Sequence, residues 1–391
     1  MSGFTVTGEA GTHAGTSEEP AERSLPALEF PARLRRLREV LGDVGVDGLL
    51  VTNLANVRYL TGFTGSAGVL LVSPPRVTLA TDGRYRTQAE EQLTQAALQG
   101  EVDLCVGAGQ VQRDALVMVV RGEPISRLGL EADDVTWAAQ HRWAEAFDPV
   151  ELVPTSGLVE GLRQVKDAGE LARMERAAAI ADAALGEVLP MLESGGSEHA
   201  LALALDTAMR RLGAEDRAFA TIVASGPNSA KPHARPGDRR IVAGDTVVVD
   251  FGAIFDGYRS DMTRTFCVGG DLPDPLAQMV AVVTRAQAEG LAAVRAGATG
   301  ADVDRACRDV IAEAGWGDAF VHGTGHGVGL DIHEAPAVGP GSTAILRPGV
   351  VVTVEPGVYL AGIGGVRVED TVVVTTGACR PLTAFPKDAA A

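Results

Sequence analysis

Asp250, Asp261, Glu355 and Glu369 are carboxylates set in apolar strand-like sequence, where structure alone gives them little reason to be. Asp250 ends the run TVVVD, and Asp261 follows eleven residues later in DFGAIFDGYRSDMTRTFCV. Asp256-Gly257 is a two-residue hairpin signal. That register sets Asp250 opposite Thr263, with Asp261 two residues along on the same face and in diagonal reach. A carboxylate in such a strand is costly unless a cation or a donor meets it. The second pair is Glu355 in GVVVTVEPGVYL and Glu369 in GVRVEDTVVVT. A three-residue loop at Ala361-Gly362-Ile363 sets them face to face, whereas a two-residue loop slips the register by one and separates them. Like charges opposed in a sheet are destabilising unless something positive lies between them. Arg367 shares the face of Glu369 and offers the competing explanation, a plain salt bridge.

Histidines supply the remaining chemistry. HGTGHGVGLDIHE contains His322, His326 and His333, three of the seven histidines in the chain. The spacing of His322 and His326 matches two zinc ligands on a helical turn, but no Glu follows the first and glycines at 323, 325, 327 and 329 argue against a helix. A loop whose backbone approaches a ligand closely is the better reading. His233 lies in the Pro-rich loop ASGPNSAKPHARPGDRR, where it can serve as a proton donor or oxyanion stabiliser if the loop folds over the site. Four carboxylates and one imidazole make an oxygen-rich site that suits Mn²⁺, Co²⁺, Fe²⁺ or Zn²⁺ in a two-ion arrangement. Two such ions, roughly 3.5 Å apart, deprotonate a water and polarise a carbonyl, and amide hydrolysis is the natural outcome.

These residues need elements to hold them. Long Ala/Leu/Glu/Arg-rich helices are expected around 167–192, 197–212, 275–296 and 300–314, with strand-rich stretches at 219–268 and 319–376. The segment 195–219 aligns with 297–320: Ser197 and Thr299 at N-caps, Gly213 and Gly315 at helix ends, Phe219 and Phe320 opening the next strand. A duplicated α–β unit follows, two pseudo-symmetric halves giving strands to a shared centre. Before it, ARLRRLREVLGDVG reads as a helix with Leu34, Leu37 and Leu41 inward. GLLVTN, AGVLLVS and VTLATD read as strands, and the same alternation continues through ALVMVV and RLGLEAD to about residue 155. Residues 1–24 have no periodicity and are expected to be a disordered leader. A compact α/β domain is assigned to 25–160 and a catalytic domain to 165–391, an α+β chain overall.

Composition narrows the function classes. The chain has 391 residues and a formal charge of −17, which argues against general binding to nucleic-acid phosphates. Cys105, Cys267, Cys307 and Cys379 form no C-x-x-C pair and are read as reduced thiols. No signal peptide is visible, and no apolar run approaches the roughly 18 residues that span a bilayer. A cytoplasmic protein with neither membrane nor nucleic-acid partners is expected.

In order and spacing, Asp250, Asp261, His326, Glu355 and Glu369 resemble the five-ligand dinuclear metal set of the pita-bread metallopeptidases. The resemblance covers about residues 30–385, and the N-terminal part is similar to that of the creatinase, prolidase and aminopeptidase P group. NVRYLTGFTGSAGVLLV (56–72) looks closest to aminopeptidase P-type chains. The resemblance implies two divalent ions, Mn²⁺ foremost, with Asp261 and Glu369 bridging them, and Glu355 as both ligand and proton shuttle. It implies that His233 and His333 hold the scissile carbonyl, that His322 lines a proline pocket, and that Arg367 stabilises the site or binds substrate. Proline-containing peptides are the implied substrates, cleaved by an Xaa-Pro aminopeptidase, with an Xaa-Pro dipeptidase as the alternative. A non-catalytic binding module ranks below both, because the ligand set is intact. A homodimer or homotetramer is also implied by the resemblance alone.

Overall fold

The computed structural model describes residues 25–269, 272 and 274–387; the leader expected over 1–24 lies outside them. The first part is a six-stranded mixed sheet built from β1 (Gly48–Val51), β2 (Gly68–Val72), β3 (Val77–Thr81), β4 (Val102–Val106), β5 (Arg127–Glu131) and β6 (Glu151–Thr155), in the order β4-β3-β2-β1-β5-β6. Helices α1 (Phe30–Asp43), α2 (Leu54–Thr61), α3 (Arg86–Gln95), α4 (Gly109–Gly122) and α5 (Trp137–Phe147) alternate with them. Leu34, Leu37 and Leu41 are buried, as their spacing predicts. ALVMVV departs from expectation: it lies inside α4, not in a strand. A short apolar run has no decisive period of its own. Here Leu116 and Val120, one helical turn apart, are buried while Met118 between them is 69% exposed.

The short helix α6 (Leu158–Arg163) leads from this sheet into α7 (Ala168–Val188), whose start is fixed by a reciprocal capping box between Asp167 and Glu170. Two matching units follow. In the first, α8 (Glu198–Arg211) precedes β7 (Asp216–Arg217) and β8 (Ile222–Ser225), then β9 (Thr246–Phe251), the turn strands β10 (Ala253–Phe255) and β11 (Tyr258–Arg259), and β12 (Met262–Cys267). After α9 (Leu276–Ala293), the second unit runs from α10 (Gly300–Glu313) through β13 (Gly325–Gly327), β14 (Glu334–Val338), β15 (Val351–Val354), the hairpin β16 (Gly357–Leu360) and β17 (Gly364–Arg367), to β18 (Asp370–Val374) and β19 (Cys379–Pro381).

The repeat read from the sequence is present in detail. Strands β8, β9 and β12 make one antiparallel ladder, and β13, β15 and β18 make its counterpart. Ser197 and Thr299 cap α8 and α10, and each also forms an isolated antiparallel bridge, to Arg240 and Ile345 respectively. Gly213 and Gly315 take positive φ just past the two helix ends, where a side chain would be strained. One detail differs: Phe219 and Phe320 stop short of β8 and β13 instead of opening them.

Alternation along these strands decides which side chains reach the site. Val247, Val249 and Phe251 of β9, with Met262 and Phe266 of β12, join the apolar cluster formed with α7 and α8. Val352 and Val354 of β15, with Val372 and Val374 of β18, do the same against α9 and α10. The intervening positions must point to the other face. They are Asp250, Asp261, Thr263, Thr353, Glu355 and Glu369, so the helices cover one side of each ladder and the carboxylates converge on the other.

Candidate metal centre

Both predicted registers are observed. Asp250 pairs with Thr263, and Phe255 pairs with Tyr258 across the turn at Asp256-Gly257, where both residues have positive φ. Leu360 pairs with Gly364 across Ala361-Gly362-Ile363, and Gly357 pairs with Arg367, so the register continues to Glu355 opposite Glu369. Carboxylate oxygens of Asp250, Asp261 and Glu369 all lie within 4.8 Å of one another, and all three side chains are buried. His326 reaches the group from β13: its Nε2 is 3.3 Å from Glu355 Oε1 and 3.6 Å from Asp261 Oδ2. Its Nδ1 lies 3.0 Å from the carbonyl of Gly327, which can only accept, so Nδ1 carries a proton and Nε2 is turned toward the acids.

The electrostatics are those of a site short of positive charge. Burial, with Glu369 and Asp250 beside it, pushes Asp261 well above the ordinary carboxylate range. Burial, with Glu355 and Asp250 nearby, does the same to Glu369. Asp250 is also raised, chiefly by burial, although Arg367 opposes the shift. Burial works against ionisation of Glu355 too, but the hydrogen bond and charge of His326, together with Arg367 and His322, outweigh it and hold the carboxyl low. Two oxygens, Asp250 Oδ1 and Glu369 Oε1, are buried with no hydrogen-bond partner among the described residues. Orphaned carboxylate oxygens converging on a common point, joined by an imidazole nitrogen, fit divalent cations of the hard to borderline class.

Arg367 does not neutralise Glu369, contrary to the salt-bridge alternative. Its Nη2 donates to Asp250 Oδ2, Nη1 donates to Tyr359 Oη at 2.8 Å, and Nε donates to Thr263 Oγ1 at 3.1 Å. Tyr359 in turn lies 2.9 Å from Nε2 of His322, whose Nδ1 donates to the carbonyl of Gly323. Tyr359 went unnoticed in the sequence, although its alternation with Glu355 and Gly357 on one strand face was there to be read. Thr263 and Thr353 were also missed: Thr263 donates to Glu369 Oε2 at 2.7 Å, and Thr353 donates to Glu355 Oε1 at 3.0 Å.

A cleft of about 540 Å³ opens over these groups, lined by the five candidate ligands together with His233, His322, His333 and Arg367. The structure therefore brings every predicted site residue to one place. His233 stands exposed on the cleft wall, and the imidazole of His333 packs edge-on against that of His326, 4.5 Å between ring centres. Partial burial and the neighbouring His326 lower the His333 pKa below the usual value for histidine.

Comparison with known proteins agrees with this geometry. The description "Metallopeptidase family M24" matches residues 172–376, and "Creatinase/Prolidase N-terminal domain" matches residues 33–165. The chain is 42% identical to "Uncharacterized peptidase YqhT" of Bacillus subtilis, over 91% of this chain and 99% of that one. Among solved structures, an Xaa-Pro dipeptidase from Bacillus anthracis is 41% identical with a TM-score of 0.88, covering 92% of this chain and 99% of its own. An X-Pro aminopeptidase from Thermotoga maritima is 35% identical with a TM-score of 0.82, covering 91% and 99%.

Proposed function

The chain belongs to metallopeptidase family M24, and from that premise we propose that it hydrolyses the Xaa-Pro bond at the N-terminus of peptides. The observation that carries the reading is the pair of orphaned buried oxygens, Asp250 Oδ1 and Glu369 Oε1, facing Asp261. Asp250, Asp261, His326, Glu355 and Glu369 would hold two divalent ions, Mn²⁺ foremost. When bound, the ions lower the pKa of a water and polarise the scissile carbonyl. Glu355, kept in orientation by the Thr353 hydroxyl, takes the proton of the attacking water and returns it to the proline nitrogen as the leaving group. Its low pKa keeps it ionised and ready to accept.

His233 and His333 flank the position of the carbonyl. A neutral His333 donates a hydrogen bond without adding a full charge beside the ions, which suits its lowered pKa. His322, held between Tyr359 and Gly323, presents a fixed ring edge for the proline side. Arg367 fixes one oxygen of Asp250 and leaves the other for metal.

The aminopeptidase form of this activity is favoured by the size of the cleft, about 540 Å³, and by the solvent exposure of His233 and Arg235 in its wall. The GFTGSAG segment, which pointed the same way in the sequence, lies in the N-terminal domain and does not line the cleft. A second reading, Xaa-Pro dipeptidase, is favoured by Arg235: it lines the cleft, and no salt bridge to it occurs among the described residues, so it is free to pair with a proline carboxylate. Comparing Ala-Pro with Ala-Pro-Ala as substrates tests the choice. Cleavage of Ala-Pro alone establishes the dipeptidase, and cleavage of neither refutes the Xaa-Pro reading.

A further inference from the structure

The segment between His326 and His333 is not held by the catalytic domain alone. Val328 and Leu330 are buried in the apolar cluster that includes Leu34, Leu49 and Tyr59 of the N-terminal domain, and Ile332 packs against it. Directly after His333, Glu334 turns away from the cleft. Its Oε2 accepts from Lys166 Nζ at 3.1 Å, and its Oε1 accepts from Arg163 Nη2 and from the backbone N–H of Asp331. Arg163 Nη2 also donates to Asp331 Oδ2 at 2.7 Å. Its Nη1 donates to Asn56 Oδ1 at 2.8 Å, and Asn56 Nδ2 donates to Glu131 Oε1 at 2.6 Å. Arg163 and Lys166 belong to the connection between the two domains, and Asn56 and Glu131 belong to α2 and the end of β5. The side chains of Arg163, Lys166 and Glu334 are 3%, 1% and 7% exposed.

A chain of buried, charge-assisted hydrogen bonds thus runs from the N-terminal sheet to the residue beside His333. Gly329 tightens it further, because an added Cβ would lie 2.7 Å from both oxygens of Glu334. A buried ion cluster of this kind contributes little net stability over apolar packing, but it fixes geometry. We infer that Glu334, with Arg163 and Lys166, is a positioning group that sets the place of the His333 imidazole, so the N-terminal domain takes part in aligning the catalytic site. This rests on the proposed role of His333 in binding the scissile carbonyl. Misplacing a substrate-holding group by about 1 Å can cost on the order of 100-fold in rate.

The test is a double-mutant cycle in the full-length, Mn²⁺-loaded enzyme, with kcat and KM measured on Ala-Pro-Ala or, if that is not cleaved, Ala-Pro. Arg163→Lys keeps the charge but loses the forked contact to Asn56, Asp331 and Glu334; Glu334→Gln is the second variant in case either fails to fold. Each is expected to lower kcat about 10- to 100-fold with KM and bound metal unchanged. In the His333→Ala background the same substitutions should have little further effect. Equal losses with and without His333 overturn the inference, as does an undiminished kcat in a folded variant. Full activity of His333→Ala alone instead refutes the role assigned to His333, which separates the two failures.

Discussion

Glu355 and Glu369 face each other at the point where the ladder between β15 and β18 gives way to the hairpin of β16 and β17. The register is the same on both sides of this break. At the break the two backbone N–H groups go separate ways: Glu355 donates to the carbonyl of Thr324, just before β13 of its own unit, at 2.8 Å, and Glu369 to that of Thr263, in β12 of the other unit, at 3.1 Å. The Glu369 bond therefore joins the two halves of the repeat at a residue whose side chain enters the cluster. Main-chain hydrogen bonds fix the backbone from which both carboxylates project.

Removing a ligand should separate metal loss from unfolding. Asp261→Ala takes away a carboxylate of the cluster, and His326→Ala takes away the single nitrogen. Both should lower hydrolysis by about 100-fold or more and reduce bound metal measured by elemental analysis. Asp261→Ala also deletes a member of a repulsive acidic cluster, so its thermal stability without metal should rise, whereas His326→Ala removes a partner of the Glu355 carboxylate and its stability should fall. Full activity in a metal-free preparation sinks the mechanism.

His233 tests the substrate side. It lines the cleft, and no hydrogen bond or salt bridge joins it to the acidic cluster among the described residues. His233→Ala should reduce kcat by about 10- to 100-fold while metal content stays at the wild-type value. Loss of metal along with activity would show that the residue belongs with the ligands.

Gly325→Ala is a backbone test of the same centre. A Cβ there would collide with the Thr353 carbonyl and lie 2.6 Å from Thr353 Oγ1. Thr353 Oγ1 accepts from the His326 N–H and donates to Glu355 Oε1, so the clash would displace two proposed ligands at once. A cost of about 1–3 kcal/mol in stability, with a larger proportional loss of metal affinity, is expected from denaturant unfolding and metal titration. Unchanged metal affinity would show that His326 is not held by this contact.

Both carboxylate pairs were legible because local turns fixed their registers: Asp256-Gly257 for Asp250 and Asp261, Ala361-Gly362-Ile363 for Glu355 and Glu369. Alternation then placed all four opposite the helix-facing valines. The partner of Arg367 was not legible, since Asp250 lies in the other half of the repeat and only tertiary docking brings the two together. His322 and Tyr359 lie in the same half, but they are 37 residues apart and likewise meet only through tertiary packing. ALVMVV misled because valine-rich runs read as strand until a neighbouring sheet selects one helical face. The Glu334 cluster had no sequence signal, for its members are drawn from residues 56, 131, 163, 166, 331 and 334.

Glu334 also gives the fold a defined response to acid. Burial opposes its ionisation, but Lys166 and Arg163 outweigh that and bring its pKa down to about 2. The folded value lies below the ordinary one near 4.5, so the linked stability is fully present above pH 4.5 and is lost as pH falls toward 2. A shift of this size corresponds to about 3 kcal/mol. Glu334→Gln removes the titrating group, so its unfolding free energy should fall less steeply between pH 5 and pH 2.5 than that of the wild type. At pH 7 the variant is the less stable protein, since Arg163 and Lys166 are left buried with less opposing charge, and the difference narrows as pH falls. Urea midpoints at pH 7, 5, 4 and 3 measure both effects. Parallel curves for the two proteins across this range would show that Glu334 is not ionised by its neighbours in the manner the geometry requires.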